Sequence, residues 1–133
     1  MFKSKEHQQF YIDMMRECEV NDTYHQAFFY VMGIAEETRK NINQLFNFGG
    51  NQIDFSGLEG QWQTSSTKRA CFLAFNLWNG YAGEEHDADC SPNHLLCCEF
   101  APYFIEGIKL RHPEYFKSFK NLNMERTWLG NER

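Results

Sequence analysis

Between Ser4 and Val20 the apolar residues Phe10, Tyr11, Met14, Met15 and Cys18 recur at spacings of three and four, while Lys5, Glu6, Asp13, Arg16 and Glu17 fall between them. That period predicts an amphipathic helix with one buried face, and Ser4 carries the side chain of an N-cap. Asn21 and Asp22 break the pattern. Asp22 or Thr23 then caps a second segment through Ala27, Phe28, Val31 and Met32 to Gly33, where a helix is preferred and a strand is its rival. A third helix is predicted over Ala35 to Phe46, with Ile34, Thr38, Ile42, Leu45 and Phe46 on one side and Glu36, Glu37, Arg39 and Lys40 on the other.

Asn47 to Gly60 holds Gly49, Gly50, Gly57 and Gly60 and only short apolar runs, so it reads as a loop with one strand or turn around Ile53 to Phe55. A fourth helix begins near Ser65 or Ser66 and runs through Ala70, Leu73, Ala74, Leu77 and Trp78 to a stop at Gly80. Gly83 to Asp89 is acidic and polar. Ser91 followed by Pro92 is the pairing of an N-cap with proline in the first turn, so the chain re-enters a helix there. Pro102 interrupts that helix or starts another, which continues through Phe104, Ile105, Ile108 and Leu110 until Pro113 ends it. Pro113 to Phe119 adds a short amphipathic turn, and the tail from Asn121 is polar apart from Leu122, Met124, Trp128 and Leu129. These elements predict a single compact, mainly α-helical domain of about six helices, with a glycine-rich central loop and room for a short hairpin.

The length, 133 residues, suits one domain. Thirteen Phe, six Tyr and three Trp supply the buried area for its core. A net charge of −5 argues against general binding to a phosphate backbone, which calls for a basic face. No apolar stretch approaches the roughly 20 residues that span a bilayer, and the start MFKSKEHQQF has no signal-peptide character, so a soluble, cytoplasmic protein is expected. Five cysteines, Cys18, Cys71, Cys90, Cys97 and Cys98, are expected as reduced thiols, three of them as small core hydrophobes.

The most suggestive stretch is Gln61 to Arg69, where Thr64, Ser65, Ser66, Thr67, Lys68 and Arg69 crowd the start of a helix behind Trp62. Unpaired N–H groups and the positive end of the helix dipole make such a start an anion site, with Trp62 as a stacking face and Tyr103 as a second ring. The plainer alternative is that Ser65 or Ser66 caps the helix and the cations are solvated. The spacing is not that of a phosphate-binding P-loop. Asn76 and Asn79 lie in an apolar run, and Arg69, Phe72 or Leu73, Asn76 and Asn79 or Gly80 fall on one helical stripe, so amide, ring and cation face one pocket or the amides hold a neighbouring loop. Lys109, Arg111 and His112 form a small basic group, expected either to join Lys68 and Arg69 or to sit against a helix dipole. Cys90, His94 and Cys97 or Cys98, with His86, offer four zinc-type ligands, but without paired spacing no metal and no cofactor is expected. A cysteine–histidine nucleophile pair built on Cys90 or Cys71 has no local signature, and Glu99, Glu106 and Glu114 are either acids and bases or, more plainly, solvated helix-surface carboxylates.

Three blocks carry a likeness: Phe2-Lys3-Ser4-Lys5-Glu6-His7; Ser65 to Arg69 with Leu73 to Asn79; and Ala101 to Phe104 with Ile108 to Tyr115. In these the chain resembles an uncharacterised family of small proteins carried by Firmicutes, their phages and other mobile elements. Gly83 to Asn93 is the part that matches least. The resemblance brings no catalytic residues with it. It implies a non-enzymatic binding protein that counteracts a host defence, by sequestering a nucleotide-like small molecule or by occupying a defence protein. A small hydrolase using Cys90 or the acidic loop, and a protein–protein interaction module with a housekeeping role, are the alternatives.

Overall fold

The computed structural model describes residues 1–81 and 87–116, so the acidic stretch at 82–86, with His86, and the tail from Asn121 lie outside the described residues. Helix α1 (Lys5–Cys18) starts where Ser4 accepts a hydrogen bond from the His7 backbone, and α2 (Thr23–Met32) where Asp22 does the same for His25. From Ala27 to Met32 every residue of α2 is buried. A helix apolar on all sides must be surrounded, and α2 is packed by α1, by α4 (Ser65–Asn79) and by α6 (Ala101–Arg111). It is the axis of the core.

The third predicted helix is cut short. Only Glu36–Lys40 is α-helical (α3), a 3₁₀ turn follows over Ile42–Gln44, and Phe46 opens a strand. Asn41 leaves the helical region at φ −109° and ψ 23°, its amide donating to the Glu37 carbonyl. The reason is tertiary: Leu45 and Phe46 are buried, and the Phe46 ring meets Phe28, Phe29 and Trp78 in a way a continued helix would not allow. Strands β1 (Phe46–Asn47) and β2 (Gln52–Ile53) form an antiparallel hairpin that pairs Phe46 with Ile53 and Asn47 with Gln52. Its turn places Asn51 at φ 53°, a conformation asparagine tolerates better than most residues. Phe55–Glu59 then makes a second 3₁₀ turn.

Helix α4 is capped one residue earlier than the serines suggested. Thr64 is the N-cap, and Thr64 and Thr67 close a reciprocal capping box, while Gly80 at φ 78° stops the other end. Helix α5 (Pro92–Leu95) is a single turn behind its Ser91 cap, and Pro102 stands in the first turn of α6, so it starts a new helix. Among the described residues no helix is long and apolar enough to cross a membrane.

Helix α6 lies close on α2 because Gly107 is buried and has no side chain. A Cβ there would stand 2.6 Å from Cγ2 of Val31, which is fully buried and stiff at χ1. Overpacking costs about 1–3 kcal/mol, against about 1 kcal/mol gained from alanine's helix propensity. Gly107→Ala is therefore expected to be neutral to destabilising by about 2 kcal/mol, read as a lower urea midpoint. A higher midpoint would show that this contact relaxes freely.

Candidate functional site

The residues singled out at the start of α4 are mostly engaged with the protein itself. Thr67 is buried, and its hydroxyl donates to Gln63 Oε1 at 2.6 Å and accepts from the Thr64 backbone at 2.7 Å. Ser66 donates to a carboxylate oxygen of Glu99 at 3.2 Å, so an acidic group already stands at this positive helix end. Arg69 donates through Nε to the His94 carbonyl at 3.1 Å, and Trp62 donates its indole N–H to Gln44 Oε1 at 3.2 Å. Ser65 and Lys68 are exposed. Tyr103 is elsewhere, 6.4 Å from His7 in the neighbourhood of α1. Asn76 is eleven residues from Ser65 along one helix, about 16 Å at 1.5 Å per residue. The sequence-predicted set is thus divided among three places.

The cysteines divide as well. Cys71 is fully buried, and burial pushes its thiol up to about 12, which keeps it from serving as a thiolate. Cys18, Cys90 and Cys98 are half-buried against the core and Cys97 is exposed. Among the described residues no group of three or more His, Cys, Asp or Glu side chains is placed to hold a metal ion.

The far end of α4 is where polar side chains converge. Asn76 and Asn79 grip the backbone just past the helix: Asn76 Nδ2 donates to the Tyr81 carbonyl, and Asn79 Oδ1 accepts from the Tyr81 N–H, both at 3.0 Å. The amides therefore do hold a neighbouring loop. That grip also fixes one wall of an open cleft of about 470 Å³, closed by Tyr24 from the first turn of α2 and by Arg111 and His112 from the end of α6. Arg111 Nε donates to the Leu77 carbonyl at 2.9 Å, Nη1 reaches Thr23 Oγ1 at 3.4 Å, and the guanidinium lies 3.8 Å over the Tyr24 ring. Trp78, on the cleft wall, is backed edge-on by the buried His25 at 4.8 Å. His25 is itself held between Asp22 at 2.7 Å and Asn51 at 2.8 Å, which ties the hairpin to the cleft floor.

Charge decides what this cleft prefers. The carbonyl end of α4 carries about half a negative charge, and Arg111 brings a full positive one to it. The guanidinium outweighs that helix end, the Asp22 carboxylate stands at the start of α2 beside Thr23, and Nη2 makes no hydrogen bond among the described residues. A planar cation, an imidazole, two amides and two aromatic rings can hold a flat anion by charge, hydrogen bonds and ring contact. Arg111 and His112 were legible as a basic group, although they join Asn76 and Asn79 rather than Lys68 and Arg69. Tyr24 gave no sequence signal, being one aromatic residue in a helical first turn.

No curated protein and no solved structure matches the chain. Residues 1–124 match the model of a family of unknown function (DUF6075), and the chain belongs to that family.

Proposed function

We propose that the chain is a non-catalytic binding protein that takes a small anionic ligand of nucleotide type in the cleft between Tyr24, Arg111 and the end of α4. The observation that carries this reading is the Arg111 guanidinium on the wall of a 470 Å³ cleft, fixed by the Leu77 carbonyl and the Tyr24 ring. A cation needed only to cap the helix would use one donor. Here two hydrogen bonds hold the guanidinium over a ring that is 43% exposed. In the setting the sequence resemblance implies, withdrawing such a ligand would blunt a host defence signal.

Calorimetric titration with AMP tests it. Saturable binding is expected, weakened about tenfold by Arg111→Lys, which keeps the charge and loses the fork, and unchanged by Lys109→Ala, an exposed cation on the same helix. With Trp62 and Trp128 replaced by phenylalanine, the emission of the remaining Trp78 should follow the same isotherm. No binding of AMP at about 1 mM, or equal affinity in the Arg111→Lys variant, would overturn the proposal.

A further inference from the structure

A second cavity, of about 220 Å³, opens beside the Arg111 cleft, and the two share Asn76, Leu77 and His112. The remaining walls are of opposite character. The larger cavity is lined by amides, rings and the guanidinium, the smaller chiefly by the aliphatic side chains of Leu73, Leu95, Leu96 and Ile108 with Pro92.

We infer that the two cavities are one bipartite site, in which a nucleotide sets its phosphate against Arg111 and its base in the aliphatic compartment. The inference rests on the reading of the Arg111 cleft as an anion site and adds the seat and orientation of the rest of the ligand. Adjacency supports it: Asn76, Leu77 and His112 line both cavities, so a ligand that reaches past these side chains would touch both. Size supports it too, because about 220 Å³ exceeds the ~150 Å³ that holds one benzene ring and leaves room for a single ring system of base size. Chemistry fixes the direction. An ionised phosphate in the aliphatic compartment would lose its hydration without a partner, whereas the apolar faces of a base are buried there at far lower cost. Asn76 lines both cavities with Nδ2 committed to the Tyr81 carbonyl, which leaves Oδ1 as its acceptor for a base N–H.

Calorimetry with ribose 5-phosphate, AMP and hexyl phosphate separates the parts. In the wild-type protein AMP is expected to bind at least about tenfold more tightly than ribose 5-phosphate, with hexyl phosphate weaker than AMP because it offers no N–H to Asn76. Leu96→Trp, which fills the smaller compartment from its half-buried rim, should bring AMP down to the affinity of ribose 5-phosphate and leave ribose 5-phosphate unchanged. Equal affinities for AMP and ribose 5-phosphate in the wild type would overturn the base seat while leaving the anion site standing. Hexyl phosphate matching AMP would also overturn it, assigning the compartment to an aliphatic tail. Failure of all three to bind would remove the anion reading, and this inference with it.

Discussion

Truncating Phe28 to alanine is expected to cost about 3–5 kcal/mol, a large part of the 5–15 kcal/mol that holds a typical domain together. Phe28 is fully buried at the centre of α2. Its ring stacks at 6.2 Å with Phe75 of α4, meets Phe29 edge-on at 5.1 Å, and touches Phe46 of the hairpin and Trp78 at 5.4 and 5.8 Å. Removing it takes away the ring on which three elements converge, and the neighbours are too large to collapse into the gap. Trp78 loses part of its backing, so the Arg111 cleft should loosen and AMP affinity fall with stability. Urea denaturation measures the loss as a lower midpoint at unchanged slope. Phe55→Ala is the control: that ring is 44% exposed, touches Phe75 and Tyr81 from outside, and should cost about 1 kcal/mol or less. Similar losses in the two variants would show that the core is not centred on Phe28.

What could be read in the sequence was local. Ser4 and Asp22 marked the starts of α1 and α2, and Gly80 the end of α4, because caps and stops act within a few residues and leave a signature there. The third helix was misread because its apolar spacing fits a helix as well as a turn followed by a strand. Only the presence of Phe28, Phe29 and Trp78 around Phe46 decides between them. The hydroxyl-rich start of α4 carried a strong pattern that the structure largely accounts for as a capping box and a serine bonded to Glu99. Parts of the cleft were legible, Asn76 and Asn79 as amides in an apolar run and Arg111 and His112 as a basic group, but their meeting with Thr23 and Tyr24 was not, because the three segments are distant in the chain. Histidine gave the least warning of all. Nothing in the segment around His7 distinguishes a core imidazole from a polar residue in a first turn.

His7 makes stability fall in mild acid. The side chain is fully buried, with Nε2 2.7 Å from the Tyr30 carbonyl and Nδ1 accepting from the Lys3 N–H at 3.0 Å, so the neutral ring with its proton on Nε2 satisfies both neighbours. A second proton would have to go on Nδ1, where the Lys3 N–H already points. Burial pushes the imidazole from 6.5 down to about 4; Arg39, Lys3 and the chain's N-terminus push the same way, while the bond to the Tyr30 carbonyl pushes back. The unfolded chain therefore takes up a proton near pH 6.5 and the folded chain only near pH 4. This contribution is complete above pH 6.5, declines as the pH falls through that window, and is gone below about 4, an upper bound of about 3 kcal/mol. His7→Gln isolates it, since the amide can donate to the Tyr30 carbonyl and accept from Lys3 but does not titrate. Urea midpoints measured from pH 7.5 to 4 should drop steeply for the wild type and much less for the variant. Carboxylates that titrate at the acid end of the range affect both proteins alike and cancel in the difference. Parallel curves would mean that the buried ring takes up its proton in the fold as readily as in the unfolded chain, and that the Lys3–His7–Tyr30 clasp yields to it.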